Sequence, residues 1–466
     1  MPELMTDAWN VMNPTQNETC EDILQRRISR RGLLKGALAN APLLMMGTAL
    51  LKPRTAIAQQ SSEVIAVYTL PDIPLGPFQN EVLPGTIEND LGFLLGSVGS
   101  GLWRNRGQDP SNEFWMATDR GPCGIVPGRR TFPVDAFTPW ILRVRAEGDS
   151  ITVLDKIPIV GQSATLTTGV GGLPNTSRDE IPWDCHAKTP LPFDPNGLDT
   201  EDIVRTRRGD FWLAEEYSPS IVHVDSTGRV VARFVPERLV LPDTDYPVVQ
   251  ALPGIYEMRR RNRGFEGIAI TPNQHTLFAV LQSPLLNPDS GTGTRSRNTR
   301  LLAFDIRSER PVAEYVYRFQ PSIEFGTDDP SEMSLSAVVA LDPHRLLILE
   351  RTETVAKIYR VDLRRATNIL GSIWDDPATR PTLEALADPA EAGIVVLPKE
   401  LVVDLSELPG VPDHIEGVAL LDEWTIAISN DNDFEGTRFD RENCNPIPNG
   451  AKSQLLVIRL GASLDE

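Results

Sequence analysis

Residues 265–281 read FEGIAITPNQHTLFAVL, and the fold of the chain is predicted from the unit that they form. A first apolar run opens with Phe265-Glu266-Gly267, a polar turn follows, and Leu277–Leu281 is a second apolar run. Short apolar runs bounded by turn residues are typical of β-strands. The stretch is therefore interpreted as two antiparallel strands, with a polar residue near the start of the first.

The same unit recurs along the chain. Its second strand ends in a polar residue each time, and these closing residues are Asp119, Glu215, Gln282, Glu350 and Asn430. In four units a polar residue opens the first strand 14 to 16 residues earlier, namely Glu201, Glu266, Ser336 and Glu416. The steps between openers are 65, 70 and 80 residues, and Ser100 opens an earlier member. Repeats of this length are typical of radial or stacked architectures.

The repeat predicts an all-β fold, a β-propeller of about six blades, with five or seven as alternatives. A β-sandwich is the other structural option, but it does not predict equivalent polar residues at steps of ~70 residues. We expect the C-terminal strand Leu455–Ile458 to pair with Val64–Val67 and to close the ring. Residues 124–195 resemble an insertion, either a lid or an outer hairpin, and residues 381–392 are the best helix candidate after the N-terminal region.

The N-terminal residues 1–58 are interpreted as a twin-arginine signal peptide. Arg30-Arg31 precede a moderately apolar stretch, and Ala56-Ile57-Ala58 forms a small-x-small cleavage site. A membrane anchor is the alternative, but Asn40 and Pro42 interrupt the apolar run. The prediction is a mature domain of residues 59–466 that is periplasmic or secreted, with no membrane span after cleavage.

The charge of the chain limits its partners. It carries 64 acidic and 45 basic residues, for a formal net charge of −19. Such a charge repels nucleic acid and anionic membranes and favours cations wherever carboxylates converge. We expect a monomer that acts on a small anionic ester. Cys123, Cys185 and Cys444 remain after cleavage and allow at most one disulfide bond, whose pairing the sequence leaves open.

One carboxylate per blade would form a ring around the axis of a propeller. The carboxylates predicted as metal ligands of this ring are Asp119, Glu201, Glu215 and Glu416, and those predicted as catalytic are Glu216, Glu266 and Glu350. Hard oxygen ligands suit Ca²⁺. The alternative is structural, with each Glu of a Glu-Gly pair accepting backbone N–H groups from a neighbouring strand.

A second calcium candidate lies near the C-terminus. Asp431, Asp433 and Glu435 alternate, and Gly436 and then Glu442 follow at the spacing of a calcium loop. An acidic surface turn is the alternative reading of this segment.

Basic residues accompany the acids. Arg120, Arg263 and Arg351 each lie next to or near one of the ring acids and are predicted to bind an anionic substrate. Bridges between Arg and Glu of different blades are the alternative. His414, two residues before Glu416, is predicted to transfer protons. The chain contains no nucleophile elbow, zinc-protease or phosphate-loop motif.

Several of these segments, in this order, resemble the landmarks of the phytase-like esterase family. They are Asp119–Pro122, Phe211–Ile221, Asn262–Gly267, Leu349–Arg351 and Ser429–Phe434. The resemblance implies a propeller, export from the cytoplasm, and esterase or phosphoesterase activity.

Taken together, these features favour a calcium-assisted extracytoplasmic hydrolase of phosphate or carboxylate esters. The competing hypothesis is a non-catalytic propeller that calcium stabilises and that binds a ligand or a protein.

Overall fold

The computed structural model describes residues 61–163, 169–436 and 438–465, so the predicted signal peptide lies outside the described residues. The regular secondary structure of the described residues is mostly β-strand, with very little α-helix. Two short α-helices occur, α1 (Leu75–Asn80) and α2 (Ser290–Gly293). No helix in the described ranges has the length and apolar character needed to cross a bilayer.

The strands carry the fold. In chain order they are β1 (Glu63–Thr69), β2 (Gly101–Trp103), β3 (Glu113–Ala117), β4 (Gly124–Val126), β5 (Arg129–Thr131), β6 (Trp140–Glu147), β7 (Ser150–Pro158), β8 (Pro182–Trp183), β9 (Thr200–Arg205), β10 (Phe211–Glu215), β11 (Ser220–Val224), β12 (Val230–Pro236), β13 (Val248–Leu252), β14 (Phe265–Ile270), β15 (Thr276–Leu281), β16 (Asn298–Asp305), β17 (Arg310–Arg318), β18 (Ser334–Ala340), β19 (Arg345–Arg351), β20 (Ala356–Asp362), β21 (Lys399–Asp404), β22 (Ile415–Leu420), β23 (Thr425–Asn430) and β24 (Gln454–Arg459).

Single 3₁₀ turns occupy many of the connections. They are Gly254–Met258, Ser322–Phe325, Pro330–Glu332, Leu363–Arg365, Ile373–Asp375, Leu383–Ala385, Pro389–Ala392, Leu405–Glu407 and Asp433–Glu435. The helix considered for residues 381–392 is therefore replaced by two of these turns. Asp388 accepts a hydrogen bond from the backbone N–H of Ala390 and starts a separate turn there.

The strands form five blades. Blade 1 is β2-β3-β6-β7, blade 2 is β9 to β13, blade 3 is β14 to β17, blade 4 is β18 to β21, and blade 5 is β22-β23-β24-β1. The outer edges of blades 1 and 5 touch through one parallel pair, Thr69 with Ser150. Within the described residues, the innermost strands contact one another in the closed order β2, β9, β14, β18, β22 and back to β2. The fold is a β-propeller, as predicted.

Of the predicted counts, about six with five or seven as alternatives, the described residues form five. Division of the length of residues 59–466 by ~70 residues per unit predicts six blades, but the first unit is longer than the others. Residues 124–195 were interpreted as an insertion, yet they contain β6 and β7, the two outer strands of blade 1. Only β4, β5 and β8 are additional, and they form a small separate sheet, which we call the cap sheet.

The ring closes as predicted. β24 pairs antiparallel with β1, and Val64 lies opposite Ile458 while Val67 lies opposite Leu456. Blade 5 is thus built from strands near both ends of the described chain, so separation of these strands would break a four-stranded sheet and expose its buried edge.

Large apolar side chains fill the space between neighbouring blades. Trp212 and Phe234 of blade 2 pack against Phe304 of blade 3, with ring centroids 5.1 to 6.1 Å apart. Each such side chain contributes about 2 to 3 kcal/mol of hydrophobic free energy when it is buried. The Phe-Trp pairs of the sequence are core residues, as their apolar character suggests.

The opener residues lie at irregularities of the innermost strands. The pairing register shifts around Glu201 in β9, around Glu266 in β14 and around Glu416 in β22. A β-bulge of this kind leaves one residue unpaired and redirects its side chain. The glycine after Glu266 has a packing reason, because a Cβ on Gly267 would lie 2.9 Å from the carbonyl oxygen of Ser336 in the next blade.

Candidate functional site

The bulged residues meet at one end of the ring, which we call the mouth. Each innermost strand begins beside the end of its antiparallel second strand, so the opener of a unit lies close to the residue that follows the second strand. The mouth therefore collects Glu201, Glu266 and Glu416 together with Arg120, Glu216, Arg351 and Asp431.

Asp199, Glu201 and Glu216 form what we call the acidic cluster. One carboxylate oxygen from each lies within 4.8 Å of the others. Among the described residues, Glu201 forms no hydrogen bond and no ion pair. Burial, and then the charges of Asp199 and Glu266, raise the pKa of Glu201 well above its usual value. The cluster therefore holds several carboxylates that repel one another and lack a compensating charge at Glu201.

Glu266 faces the acidic cluster from blade 3. Its Oε1 accepts a hydrogen bond from Gln282, whereas its Oε2 is buried and has no partner in the described structure. The residue is 2% exposed. Burial and the charge of Glu416 raise its pKa to about 8. An unpartnered buried carboxylate oxygen is costly, so this atom is suited to a ligand.

Arg120 joins the two sides of the acidic cluster. Its guanidinium forms a buried ion pair with Asp199 and donates to Oδ1 of Asn262. It also lies 3.6 Å from carboxylate oxygens of Glu216 and Glu180. Glu180 comes from the segment next to β8, so the cap region reaches the mouth through this arginine.

A second group lies on the blade 5 side of the mouth. His414 Nε2 is 3.2 Å from Glu416 Oε1, and His414 Nδ1 is 3.5 Å from Asp433 Oδ2. Arg351 forms an ion pair with Glu416, and its Nε donates to Ser336 Oγ at 2.7 Å. Burial alone would lower the pKa of His414, but the charges of Glu353 and Glu416 raise it well above its usual value. The charges of this group are thus largely compensated.

Asp431 and Asp119 lie between the two groups. Asp431 accepts hydrogen bonds from Ser97 Oγ at 2.6 Å and from the backbone N–H of Asp433 at 2.7 Å. Burial and the charge of Asp433 raise its pKa to about 7. Asp119 accepts from the backbone N–H of Gly121 at 2.8 Å. Burial and the charges of Asp431 and Asp199 raise the pKa of Asp119, so the pKa values of both aspartates respond to the negative potential of the mouth.

Arg263 enters the mouth from the loop before β14. Its Nη1 donates to the carbonyl oxygen of Met333 at 3.0 Å and to Ser334 Oγ at 2.8 Å. Burial and the neighbouring charge of Arg260 lower its pKa to about 9. Of the predicted residues, the mouth thus contains three arginines, one histidine and seven acids: Arg120, Arg263, Arg351, His414, Asp119, Glu201, Glu216, Glu266, Glu416, Asp431 and Asp433.

Glu215 and Glu350 lie away from the mouth, which corrects their place in the predicted ring. Glu215 is buried beside Arg233, whose Nη2 donates to it at 2.5 Å, and Glu350 accepts from Lys399 at 2.6 Å. Side chains of consecutive residues alternate between the faces of a strand. Glu216 and Arg351 face the mouth, so the residues before them point to the opposite side, Glu215 toward Arg233 within blade 2 and Glu350 toward Lys399 and Tyr317.

The spacing of the predicted calcium loop does not produce a common centre. Glu435 forms an ion pair with Lys452, and Glu442 is an exposed turn residue. Asp433, Phe434 and Glu435 all have positive φ angles, of 47°, 50° and 67°. In this left-handed turn Asp433 lies next to His414, whereas Glu435 pairs with Lys452.

Sequence reasoning missed four groups that complete the mouth. They are Asp199, Glu180, Asn262 and Ser97. Asp199 lies two residues before the opener Glu201 and was detectable by the same spacing argument. Glu180 was not detectable in this way, because it belongs to no repeated unit. Only the folding of the cap region brings it next to Arg120.

The donor set of the acidic cluster fits a hard divalent cation. It offers only carboxylate oxygens, and Glu201 has no partner among the described residues. Glu266, whose Oε2 is also unpartnered among the described residues, acts electrostatically on Glu201. Two other groups of potential ligands are less suitable. Cys185 and Cys444 form a disulfide bond next to His186, and the imidazole of His414 already contacts two carboxylates.

Three known proteins are similar to this chain over part or most of its length. A protein of Arthroderma benhamiae named "Uncharacterized secreted protein" is 29% identical over 206 residues, and the match covers 40% of each chain. Among solved structures, Pseudomonas fluorescens PhoX in complex with vanadate aligns with 9% identity, 88% and 95% coverage and a TM-score of 0.36. The β-propeller domain of Myceliophteria thermophila Cps50 aligns with 11% identity, 80% and 98% coverage and a TM-score of 0.30.

Structural similarity at this level carries no functional argument, and the chain spans about two fifths of the curated relative it matches. A family match is more informative, because it extends over residues 99–434 and so includes all five innermost strands and nearly every residue of the mouth. The chain belongs to the phytase-like family, whose description is esterase-like activity of phytase.

Proposed function

We propose that the protein is an extracytoplasmic hydrolase that cleaves phosphate or carboxylate esters at the mouth with the help of a divalent cation. The observation that carries the proposal is the position of Glu201, which has no partner among the described residues and lies near Asp199, Glu216 and Glu266. Arg120 compensates the charges of Asp199 and Glu216, but a carboxylate without a compensating charge, such as Glu201, is unfavourable for folding alone, and this favours a role in binding.

Calcium is the proposed cation, because its ligands are hard oxygen atoms and its coordination is flexible. Asp199, Glu201, Glu216 and Glu266 would hold it. When bound there, such an ion supplies Lewis-acid polarisation of the ester and lowers the pKa of a water molecule.

The arginines of the mouth have different roles in this proposal. Arg120 and Arg351 are paired with Asp199 and Glu416, so they position these carboxylates and strengthen the positive potential next to them. Arg263 has no carboxylate within 4.0 Å among the described residues and is the arginine best placed to bind an anionic substrate.

The proposed proton transfers use carboxylates and the histidine of the mouth. In hydrolysis, a water oxygen forms a bond to the ester centre, and the bond to the leaving alcohol breaks. Glu216 or Glu266 accepts the proton of the water when it is ionised, which for Glu266, with a pKa of about 8, favours activity on the alkaline side of neutrality. His414, whose pKa is raised by its acidic neighbours, donates a proton to the leaving oxygen.

The location outside the cytoplasm is also part of the proposal. It is supported by the Arg30-Arg31 leader and by the secreted relative. The net charge of −19 supports a small-molecule substrate, because it opposes contact with nucleic acid. We propose a monomer.

Activity assays on the mature domain, residues 59–466, test the proposal. Phytate, p-nitrophenyl phosphate and p-nitrophenyl acetate are assayed with calcium and with EDTA, for the wild type, Glu201→Gln and Glu442→Gln. We expect calcium-dependent turnover that Glu201→Gln abolishes and Glu442→Gln retains, because Glu442 is exposed and remote. No turnover of any ester, or equal turnover in the Glu201→Gln variant, would overturn the proposal.

A further inference from the structure

Residues 178–185, which we call the strap, are fastened to the fold at two ends by different means. At the first end Asp179 forms a buried ion pair with Arg259, which lies in the connection between blades 2 and 3. Oδ1 of Asp179 also accepts a hydrogen bond from the backbone N–H of Ser218 at 2.8 Å. The first end is therefore held by noncovalent contacts, which can break and form again.

The second end of the strap is held covalently. Cys185 is bonded to Cys444, which lies in the connection between β23 and β24 of blade 5. Next to this bond, Nδ1 of His186 lies 2.6 Å from the carbonyl oxygen of Arg441. If the contacts of the first end break, the disulfide bond keeps the second end in place. The strap is thus built as an arm with one releasable end and one fixed end.

Between its ends the strap passes the acidic cluster. Oε1 of Glu180 lies 3.6 Å from Nη1 of Arg120, and Oε2 of Glu180 accepts from Nε of Arg130 at 3.2 Å. Arg130 belongs to β5 of the cap sheet. Burial alone would raise the pKa of Asp433, but the charge of His414 and, to a smaller degree, that of Arg130 lower it. The strap and the cap sheet therefore act on both sides of the mouth.

The groups that the proposed hydrolase would use are covered in this structure. Asp199, Glu216 and Glu266 are at most 2% exposed, and Glu201 is partly exposed. Side chains buried this deeply cannot meet an ester from solution unless part of their cover moves. The innermost strands are paired within their blades and packed against one another, so their displacement would disrupt the core. The strap has a releasable end and can move at lower cost.

We infer that the strap is a lid of the mouth, which releases its Asp179 end to admit the substrate and pivots on the Cys185–Cys444 bond. The inference rests on the proposed function, because it takes the mouth as the site that is covered. Closure would exclude water and strengthen the electrostatic interactions inside the mouth. Opening would separate Glu180 from Arg120.

The thiol of Cys123 reports on this movement without any turnover. Cys123 is the free cysteine of the mature domain. Its Sγ accepts a hydrogen bond from Nη1 of Arg130, the arginine that also binds Glu180. Burial raises the pKa of this thiol, so it should react slowly while the strap is closed. The rate at which N-ethylmaleimide labels Cys123 in the native mature domain therefore measures how often the strap opens.

Asp179→Asn weakens the releasable end, because a neutral amide does not compensate the buried charge of Arg259. We expect this variant to speed the labelling of Cys123 by about tenfold or more, since an uncompensated buried charge favours the open state. Asp362→Asn is the matched control. It removes another Asp–Arg ion pair, the one with Arg364, and should be labelled at the rate of the wild type.

Glu257→Gln tests the same end without leaving a buried charge unpaired. Glu257 forms an ion pair with Arg178, whose side chain is exposed. Because exposed pairs contribute little, we expect labelling of Cys123 to be faster by only about two- to threefold. If Asp179→Asn does not fold, the comparison of Glu257→Gln with the wild type decides.

Hydrogen exchange locates the pivot. The backbone amide of Ser218 is bonded to Asp179, whereas the amide of Asp184, next to the disulfide, is bonded within the cap region. Asp179→Asn should speed the exchange of Ser218 and leave that of Asp184 unchanged. When Cys185 and Cys444 are both replaced by Ser, exchange of Asp184 should become faster as well.

Equal labelling of Cys123 in the wild type, Asp179→Asn and Glu257→Gln would overturn the lid. Fast labelling in all three proteins would mean that the mouth is open, and slow labelling in all three would mean that its cover is fixed. Since these measurements need no turnover, a strap that opens as expected in a protein that hydrolyses no ester would contradict the hydrolase alone. Turnover beneath a fixed strap would contradict this inference alone.

Discussion

Nε2 of His414 lies 3.2 Å from Oε1 of Glu416, two residues further along the chain. Two residues this close in sequence normally project from the same side of an extended strand. Here His414 precedes β22 and has a φ angle of 60°, and Glu416 occupies the bulge of β22. The local backbone therefore brings an imidazole against a carboxylate that Arg351 holds from the neighbouring blade.

His414 should act as a proton donor to the leaving group. Its raised pKa keeps it protonated at neutral pH, so His414→Gln should lower kcat/KM by about 10² to 10⁴ for a leaving group of high pKa. The loss should be much smaller for p-nitrophenolate, which leaves without a proton. Rates for phenyl phosphate and p-nitrophenyl phosphate measure the difference, and an equal loss for both substrates would contradict the assignment.

Calcium should stabilise the fold through Glu201. A ligand that binds only the native state adds about 2.7 kcal/mol at a hundredfold excess over Kd, which is a few degrees for a domain of this size. The melting temperature in EDTA and in millimolar Ca²⁺ is compared for the wild type, Glu201→Gln and Glu442→Gln. We expect the shift to disappear in the first variant alone. Loss of the shift in Glu442→Gln would instead place the ion in the C-terminal loop.

The metal-free protein should lose stability as the pH rises from about 5 to 8. Glu266 has its folded pKa raised to about 8, so the folded state retains a proton that the unfolded chain releases above its ordinary pKa. The unfolded state then binds fewer protons, and the free energy of unfolding falls by up to about 1.4 kcal/mol per pH unit for each such group. Urea unfolding in EDTA at several pH values should show a shallower fall for Glu266→Gln. A slope identical to that of the wild type would refute the raised pKa.

The Cys185–Cys444 disulfide should stabilise the cap region more than the blades. It joins the segment after β8 to the connection between β23 and β24, 259 residues apart. Replacement of both cysteines by Ser should cost about 2 to 4 kcal/mol. Limited proteolysis should then cleave near the cap sheet while the circular dichroism of the blades is retained. Cys123→Ser is the control, because this thiol is free, and global unfolding without selective cleavage would contradict the expectation.

Export should require both leader arginines. Replacement of Arg30 and Arg31 by Lys should leave the precursor in the cytoplasm, because the transport receptor recognises the guanidinium pair. Cell fractionation followed by immunoblotting measures the distribution. Normal accumulation of this variant outside the cytoplasm would rule out the twin-arginine route.

The amino-acid sequence alone determined the repeating strand unit, the closing pair of β1 with β24, and the polar register that places Glu201, Glu266 and Glu416 at the ring. These features are local, because strand formation depends on short apolar runs and the bulge depends on residues next to each other in the chain. The number of blades was harder to predict from the sequence, because the strands of the cap sheet lie between the start of the first unit and the start of the second.

Only the tertiary structure decided which member of each charged pair reaches the mouth. Glu215-Glu216 and Glu350-Arg351 look alike in the sequence, yet Glu216 and Arg351 face the mouth while Glu215 pairs with Arg233 and Glu350 pairs with Lys399. The choice depends on Arg233 and Lys399, which arrive from other strands and supply the compensating charge. The contacts of Arg263 could likewise not be predicted from the sequence, because they depend on the positions that Met333 and Ser334 take after the blades have packed.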